Sequence, residues 1–413
     1  MNQLATPHVL YILTKLELGG AQKVCLSLIQ GLKNQGEKSS LISGSDGPLV
    51  EQAQELTTTY FLKSFKREVS FLGIWREFYT FIDMIRTIKK IHAQHKNLIV
   101  HTHSTKAGIM GRWAAWFAGV SVRIHTVHGF GFHDHQNKII WFLMYLCELF
   151  TSIITTHFIC VSKKDLGLGS RLFPGFAKKS SVIHAAIDWE KFYSVCAPGF
   201  AQGFAGDGKA TPDKQPELSI KSATLDTTSF IIGTISCFKP QKNLFDLLQA
   251  FKQVHDRMTG KQNIELHIIG DGLQRKKIED WISENNLKNQ IKLLGWQANV
   301  APIIKMWDLF AMSSLWEGLP CSIIEARLCK IPVVAYNVGG ICEVIHDGKN
   351  GFLIPPGNWQ LLAEKLALLI ENQKLYAQFK EFHDNLWDFD NRVMVRKHQM
   401  LYRSLAQKYF CNL

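Results

Sequence analysis

Two carboxylates eight positions apart are the residues of this sequence best suited to chemistry. Glu317 follows an apolar run on a Gly-containing loop, and Glu325 falls inside the helix that Pro320 is predicted to start. Both carboxylates can therefore face one cleft, where they could transfer protons or accept hydrogen bonds from sugar hydroxyls. Taken singly, either glutamate is more typical of an exposed helix surface. The elements around the pair must decide between these interpretations.

Glycine turns follow three of the predicted strands. Gly19 and Gly20 come after the first strand and open a helix, whose free N–H groups and positive end would attract an anion. The turn at 270–272 resembles a dinucleotide fingerprint without its third glycine, and the turn at 339–340 is a further phosphate cradle. A tight turn that needs Gly explains the first of these turns, at Gly19 and Gly20, equally well. Three such turns in one chain favour a nucleotide-diphosphate ligand.

Six histidines lie between positions 101 and 135 and suggest a competing metal site. His101 and His103, near a predicted strand end, could begin a zinc site that activates water. Such a site needs further ligands at later strand ends, and the second half offers no histidine in a comparable setting, so we expect no metal. The alternative is that most of the cluster only lines a polar cleft: His101, His125, His133 and His135. His128 is the catalytic candidate.

Composition restricts the class of protein. The chain has 413 residues, 46% hydrophobic and 20% charged, which excludes disordered, collagen-like and small disulfide-rich proteins. This length predicts two domains. Residues 1–196 hold 22 Lys and Arg against 13 Asp and Glu, while residues 197–413 hold 25 against 22. The positive charge is therefore concentrated in the first half, where no nucleic-acid-binding motif occurs and no nucleic acid partner is expected.

Two segments of the first half bear on membrane contact. Residues 61–96 interleave eight basic and three acidic residues with aromatic side chains. An ordinary helix whose aromatics pack inward is the favoured interpretation, and adhesion to an anionic membrane is the alternative. Residues 139–161 are long enough to span a bilayer, but Glu148 favours a core or interfacial helix instead. Together with the basic charge, these segments predict weak, salt-sensitive contact with an anionic membrane.

The amino terminus and the cysteines predict the compartment. The first apolar stretch is short and broken by Lys15 and Glu17, so we expect a strand and no signal peptide. Nine scattered cysteines without a C-x-x-C pair predict buried thiols in a reducing compartment. The expected location is the cytoplasm, peripherally on the inner face of the cytoplasmic membrane.

Apolar runs alternate with helical patterns in both halves, which predicts an α/β protein with two Rossmann-like, doubly wound parallel sheets facing a central cleft. The predicted boundaries are 1–196 for the first domain, 197–228 for a flexible insertion or linker, and 229–385 for the second domain. Residues 386–413 are predicted to form a helix that packs back on the first domain. Ligands of such sheets bind at the carboxyl ends of the strands.

These motifs resemble a known family. EGLPCSIIE (317–325), the segment 331–358 and the upstream segment 233–251 are similar to the family 4, or group 1, retaining glycosyltransferases with the GT-B fold. In the first half, ELGGAQK, the segment 100–120 and HTVHGF resemble members that build bacterial O-antigen, capsule or exopolysaccharide. The resemblance covers nearly all of the chain except 194–229.

The resemblance implies a metal-independent enzyme without a cofactor. It would move a hexosyl or N-acetylhexosaminyl group from a nucleotide sugar, preferably a UDP sugar, to a polyprenyl-diphosphate-linked lipid or a saccharide. Two alternatives remain open at this point: a nucleotide-sugar epimerase of the GT-B fold and a non-catalytic nucleotide-sugar-binding protein. Lipopolysaccharide synthesis is one pathway in which such a transferase acts.

The resemblance implies that the first domain binds the acceptor and the second binds the nucleotide sugar, and it also gives roles position by position. Glu317 would contact the donor sugar, Glu325 the ribose and Lys242 the diphosphate leaving group, with His128 beside the sugar. Further donor-binding residues would be Gly19, Gly20, Lys239, Gly270, Gly272, Gly318, Leu319, Pro320, Gly339 and Gly340. Acceptor-side candidates are His103, Ser104 and Lys106.

Two positions depart from the family pattern. Cys237 stands where many relatives have an arginine, and we expect Lys239 to replace its positive charge. The segment 184–188, at the predicted domain junction, lacks the glycine that relatives often carry.

Overall fold

The computed structural model describes residues 6–66, 73–133, 136–196 and 229–410. The predicted insertion at 197–228 lies outside this part of the chain.

The first described domain is a seven-stranded parallel sheet in the order β3-β2-β1-β4-β5-β6-β7. Its strands are β1 (His8–Ile12), β2 (Ser39–Ser43), β3 (Thr58–Phe61), β4 (Leu98–His103), β5 (Val122–Val127), β6 (His157–Cys160) and β7 (Ser180–Val182). Its helices are α1 (Gly20–Asn34), α2 (Val50–Leu56), α3 (Ile74–Gln94), α4 (Thr105–Phe117), α5 (Lys138–Ile154) and α6 (Lys163–Leu172). Helix α7 (Trp189–Cys196) follows β7 and packs against helices of the second domain. Central strands such as β4 are buried along their whole length, as strands covered by helices on both faces must be.

The second described domain is a six-stranded parallel sheet in the order β10-β9-β8-β11-β12-β13. Its strands are β8 (Phe230–Ile235), β9 (Ile264–Ile269), β10 (Ile291–Gly295), β11 (Leu309–Met312), β12 (Val333–Tyr336) and β13 (Gly351–Ile354). Its helices are α8 (Leu244–Met258), α9 (Arg275–Glu284), α10 (Ala301–Ile304), α11 (Cys321–Leu328), α12 (Trp359–Glu371) and α13 (Gln373–Glu381). The predicted pair of doubly wound parallel sheets is confirmed.

Both sheets reverse their strand order at one place. The first sheet reverses between β1 and β4, and the second between β8 and β11. Loops that leave two such strands diverge to opposite faces of the sheet and leave a crevice at the carboxyl edge. The loops after these four strands therefore position the candidate site.

The last helix, α14 (Asn391–Phe410), returns to the first domain. It starts beside the domain junction, where the amide of Asn391 donates to the carbonyl of Ile187 at 2.9 Å. The carboxylate of Asp390 accepts a bond from the amide of Arg392 at 2.8 Å and so caps the helix. Farther along, the hydroxyls of Tyr402 and Tyr11 lie 3.2 Å apart. This contact attaches α14 to the central strand β1 of the first sheet.

Helix α5 buries polar side chains and exposes apolar ones. Glu148 of α5 accepts a hydrogen bond at 2.8 Å from Arg112 of α4, and both side chains are buried. The exposed face carries Ile139, Ile140, Phe142, Leu143, Phe150 and Ile153. The predicted apolar segment 139–161 is therefore an outward-facing helix that ends at Ile154, followed by β6. Within the described residues, no helix is both long and apolar enough to cross a membrane.

The favoured interpretation of residues 61–96 is wrong for three of its aromatics. Phe65 packs inward, but Trp75, Phe78 and Tyr79 are exposed, Trp75 to 69%. The buried stripe of α3 consists instead of Thr80, Met84, Ile88 and Ile91. The aromatics lie in the first turns of α3, on the side away from this stripe, because smaller side chains already fill the contact with the sheet. Phe71 lies outside the described residues.

The prediction of buried thiols is also wrong in part. Cys25 and Cys160 are buried, but Cys147 and Cys342 are exposed. Both exposed cysteines lie on elements at the surface, α5 and the turn after Gly339.

Candidate active site

Backbone segments of the two domains meet at the crevice. A Cβ on Gly318 would collide with the backbone of His128, and a Cβ on Gly339, whose φ is +53°, would collide with the carbonyl of Glu317. The amide of Gly340 donates to the carbonyl of Gly318 at 2.6 Å. Glycine is needed at these positions because a side chain would push the loops apart. The structure thus brings His128, Glu317 and the 339–340 turn together.

Lys242 and Glu317 form an ion pair within the second domain. Lys242 Nζ donates to Glu317 Oε1 at 2.5 Å, and both side chains are largely buried. Lys242 ends the 3₁₀ turn that follows β8, and the hydroxyl of Ser313 donates to its carbonyl at 3.1 Å. The side-chain amide of Gln241 donates to the carbonyl of Trp316 at 2.7 Å. These bonds join the loop after β8 to the loop after β11 and hold a positive charge in the crevice.

A second lysine is paired across the crevice. Lys239 Nζ lies 3.5 Å from Glu17 Oε2, and Glu17 also lies 3.2 Å from Lys15. Glu17 belongs to the loop after β1, immediately before the turn that contains Gly19 and Gly20. Both carboxylate and lysine are partly exposed, so this ion pair is weak. Sequence reasoning found Lys239 but missed Glu17, whose position beside the glycine turn was the available signal.

Glu325 also faces the first domain. It lies on α11, where burial raises the pKa of its carboxyl and the charge of Lys23 opposes that rise. Lys23 belongs to the first turns of α1, which has Gly19 as its N-cap. Leu319 is buried and Pro320 precedes α11 directly, so both residues anchor the loop that leads to Glu325. Lys23 is a further charge that sequence reasoning missed.

His128 is partly buried and contacts a fully buried histidine. His128 Nε2 and His103 Nδ1 lie 3.0 Å apart. Burial, with a contribution from His398, lowers the pKa of His128 to about 4, so its ring is neutral at physiological pH. Among the described residues, no group of three His, Cys, Asp or Glu side chains could hold a metal ion. His135 lies outside the described residues.

The remaining candidates have mainly local partners. The hydroxyls of Ser104 and Thr14 lie 2.9 Å apart. Lys106 pairs with Glu77 of α3 at 2.7 Å, so its charge is already engaged on the outer side of the domain. Gly270, with φ of +124°, lies so close to the carbonyl of Ser236 that a Cβ would come within 2.0 Å of its oxygen, and a Cβ on Gly272 would come within 2.8 Å of the carbonyl oxygen of Phe238. These two glycines therefore shape the loop that carries Lys239.

An aromatic contact between the domains was not predicted. The ring of His133 stacks on Trp316 with centroids 3.6 Å apart and planes inclined by 14°. Trp316 immediately precedes Glu317, so the stack helps to hold that carboxylate in the crevice. The sequence gives little signal for this contact, because the two rings are separated by more than a domain of chain.

Comparisons with known proteins agree with this architecture. The family model described as Glycosyltransferase Family 4 matches residues 18–191, and that described as Glycosyl transferases group 1 matches residues 216–385. The chain is 30% identical over 370 residues to the Escherichia coli UDP-Gal:alpha-D-GlcNAc-diphosphoundecaprenol alpha-1,3-galactosyltransferase, covering 89% of each chain. It is 24% identical to the Staphylococcus aureus capsular polysaccharide biosynthesis glycosyltransferase CapM, over 76% of this chain and 79% of that one.

A solved structure has the same fold. The Anabaena protein HepE, crystallised with UDP and glucose, superposes with a TM-score of 0.73 at 19% identity, over 96% of this chain and 100% of that one. The two sheets, the crevice between them and the two matched halves agree on one assignment. The chain belongs to glycosyltransferase family 4, or group 1, and is a glycosyltransferase with the GT-B fold.

Proposed function

We propose that this chain is a retaining, metal-independent transferase that moves a hexose or N-acetylhexosamine from a UDP sugar to a polyprenyl-diphosphate-linked acceptor in bacterial surface polysaccharide synthesis. The Lys242–Glu317 pair carries the proposal, because it holds a cation and a carboxylate at 2.5 Å in the crevice between the domains. The activity for which the E. coli relative is named supports the choice of donor and acceptor. A saccharide acceptor is the second candidate, supported by the capsular relative.

Each charge in the crevice has a role in this proposal. Lys242 and Lys239 bind the diphosphate, which replaces Glu317 and Glu17 as their partners. Glu317, released from Lys242, accepts hydrogen bonds from the donor sugar hydroxyls. Glu325 accepts hydrogen bonds from the ribose. His128 lies beside the sugar, and the glycine turns at 19–20 and 339–340 let the backbone approach the ligand.

The proposed reaction is a front-face substitution. The bond between the anomeric carbon and the β-phosphate oxygen breaks, and its electron pair stays on the phosphate. The acceptor hydroxyl oxygen forms the new bond on the same face of the sugar, and its proton passes to the leaving phosphate. Lys239 and Lys242 stabilise the negative charge that develops on the phosphate, which is the task that a metal ion performs in other transferases.

We also propose that the first domain rests on the inner face of the cytoplasmic membrane. Three neighbouring helices expose what we call the apolar surface: Ile74, Trp75, Phe78 and Tyr79 of α3, Trp116 and Phe117 of α4, and Ile139, Ile140, Phe142, Leu143, Phe150 and Ile153 of α5. The half of the chain that carries this surface holds most of the net positive charge. Apolar side chains beside basic ones fit an anionic lipid surface. Such contact would bring a lipid-linked acceptor to the crevice.

Nucleoside diphosphate binding tests the donor site. Thermal unfolding of the protein should shift upward with UDP and not with GDP, ADP or CDP, since a ligand at a hundred times its Kd stabilises by about 2.7 kcal/mol. The shift should vanish in Lys242→Ala and shrink in Glu325→Ala. Lys252→Ala, which removes an exposed lysine of α8, is the matched control and should keep the full shift. Equal shifts in all variants would refute the proposed site.

Transfer distinguishes the enzyme from its alternatives. An epimerase would convert the UDP sugar without any acceptor, and a binding protein would give a UDP shift without turnover. The proposal predicts turnover only when the acceptor is present, with the anomeric configuration of the donor kept in the product.

A further inference from the structure

His103 lies beneath His128 and is fixed there by packing. It ends β4, is only 1% exposed, and its Nδ1 lies 3.0 Å from Nε2 of His128. Its ring also packs against that of His101, with centroids 4.3 Å apart and planes inclined by 37°. His101 is held in turn by the hydroxyls of Tyr402 and Thr126, each 2.7 Å from one ring nitrogen. His103 therefore has little freedom to turn away from His128.

One proton lies in the contact between the two rings. Burial lowers the pKa of His103 well below its ordinary value, and burial lowers that of His128 to about 4. Both rings are therefore neutral at physiological pH, and each has one N–H and one bare nitrogen. The contact between Nδ1 of His103 and Nε2 of His128 needs a proton on one side and a lone pair on the other. The tautomer of one ring thus determines the tautomer of the other.

The far nitrogen of His103 indicates where that proton lies. Nε2 of His103 is buried and has no hydrogen-bond partner in the part of the chain that the structure describes. An N–H at this atom would be a buried donor without an acceptor, which folded proteins rarely contain, and an unused lone pair is tolerated more often. The proton of His103 therefore belongs on Nδ1, in the contact with His128.

We propose that His103 is a positioning residue that donates Nδ1–H to Nε2 of His128 and so keeps the His128 proton on Nδ1. Nδ1 of His128 makes no hydrogen bond to any described residue and is not one of the buried polar atoms without a partner. His128 then offers the crevice an N–H donor, which suits an oxygen acceptor such as a sugar hydroxyl or a phosphate oxygen. The identity of that ligand rests on the proposed function, whereas the tautomer does not.

Nitrogen NMR of the full chain tests the tautomer directly. Protein labelled with ¹⁵N-histidine, free of ligand at pH 7.5, should show the His128 signals of an Nδ1–H ring, assigned by their loss in His128→Gln. His103→Phe removes the donor, so His128 should no longer be held as a single tautomer, and its two ring-nitrogen signals should move towards each other. His103→Asn places an amide N–H near the position of Nδ1 and should restore the original pattern. His157→Phe, which removes a histidine of β6 that bonds Ser181, should change nothing at His128.

Transfer rates give the second measurement. His103→Phe should lower kcat/KM about tenfold, as expected for the loss of one hydrogen bond to the ligand, and His103→Asn should stay within about twofold of the original protein. The proposal is overturned by a His128 proton on Nε2 in the original protein, or by an unchanged tautomer in His103→Phe. If His128→Ala transfers sugar normally, the role of His128 in the proposed function fails, while the tautomer measurement still stands.

Discussion

The two domains share one winding of strands and helices but have opposite outer surfaces. In the second domain, α8 and α9 present ion pairs to solvent, such as Lys252 with Asp256 at 2.8 Å and Lys276 with Asp280 at 2.6 Å. In the first domain, α5 turns a polar pair inward and apolar side chains outward. The same fold therefore has a charged, solvated outer surface on one domain and an exposed apolar surface on the other.

The interiors differ as well. Burial lowers the pKa values of several histidines in and beside the first sheet. They are His8, His101, His103, His125, His128 and His157, together with His398 of α14. In the described part of the second sheet, His267 is the only histidine whose pKa is lowered by burial. The first domain thus contains a cluster of buried, neutral histidines that the described part of the second domain lacks.

A fall in pH should reveal the largest difference in stability between the two domains. A buried histidine with a lowered pKa binds fewer protons folded than unfolded, so its contribution to stability is lost as the pH falls from about 6.5 towards 4. His128 and His398 could each contribute up to roughly 3 kcal/mol of this loss. Hydrogen exchange at pH 4.5 should therefore accelerate in β4 and β5 before β9 and β11. Simultaneous loss of protection in both sheets would contradict this difference.

Breaking the inward polar pair should be the next largest effect. Glu148→Ala leaves Arg112 buried without its partner and should lower the free energy of unfolding by about 3–5 kcal/mol. Asp280→Ala, which removes an exposed partner on α9, should cost less than about 1 kcal/mol. Urea unfolding measures both. Similar losses in the two variants would show that α5 does not depend on its polar inner face.

Vesicle binding tests the apolar surface. Trp75→Ser and Ile153→Ser, at side chains that are 69% and 74% exposed, should each lower binding to anionic vesicles about tenfold, because each removes a large apolar group from the contact. Leu273→Ser, at a side chain of the second domain that is 93% exposed, is the matched control and should leave binding unchanged. Cosedimentation at low salt measures the three variants. Equal binding by all of them would mean that the apolar surface faces some other partner.

The ion pair across the crevice should give the smallest effect. Glu17 competes with the diphosphate for Lys239, so Glu17→Gln should tighten UDP binding two- to threefold, in keeping with a partly exposed pair. Glu51→Gln, at an exposed position on α2, is the control. Calorimetric titration with UDP measures both variants. Weaker binding by Glu17→Gln would mean that Glu17 helps to hold the nucleotide.

Local patterns predicted the sheets and singled out Glu317, and the resemblance to the family added Lys242. Alternating strands and helices give the doubly wound topology, and the motifs around Lys242 and Glu317 carry these residues to strand ends. Contacts between distant segments were not predictable in this way. The bond of Tyr402 to His101 and the stack of Trp316 on His133 depend on how helices and domains pack, and no local spacing encodes them.

The outward face of α5 shows a second limit. Periodicity tells which side chains share a helix face, but it does not tell which face turns towards the core. Composition favours burying the apolar face, and α5 does pack Trp141, Met144, Tyr145 and Leu149 against the core. Its buried pair with Arg112, through Glu148, takes up another part of the inner face, and a second set of apolar side chains is left exposed. Residues 74–79 present the same difficulty, because a stripe of smaller side chains already fills the contact of α3 with its sheet.

Sugar transfer to a lipid acceptor tests the central claim most directly. Radiolabelled UDP sugars would be mixed, with EDTA present, with anionic vesicles that contain a polyprenyl-diphosphate-linked N-acetylhexosamine. The original protein and Lys252→Ala should label the lipid from one UDP sugar, and Lys242→Ala should be slower by about a hundredfold or more. Equal labelling by Lys242→Ala, or conversion of the donor with no label in the lipid, would contradict a transferase site built on Lys242 and Glu317.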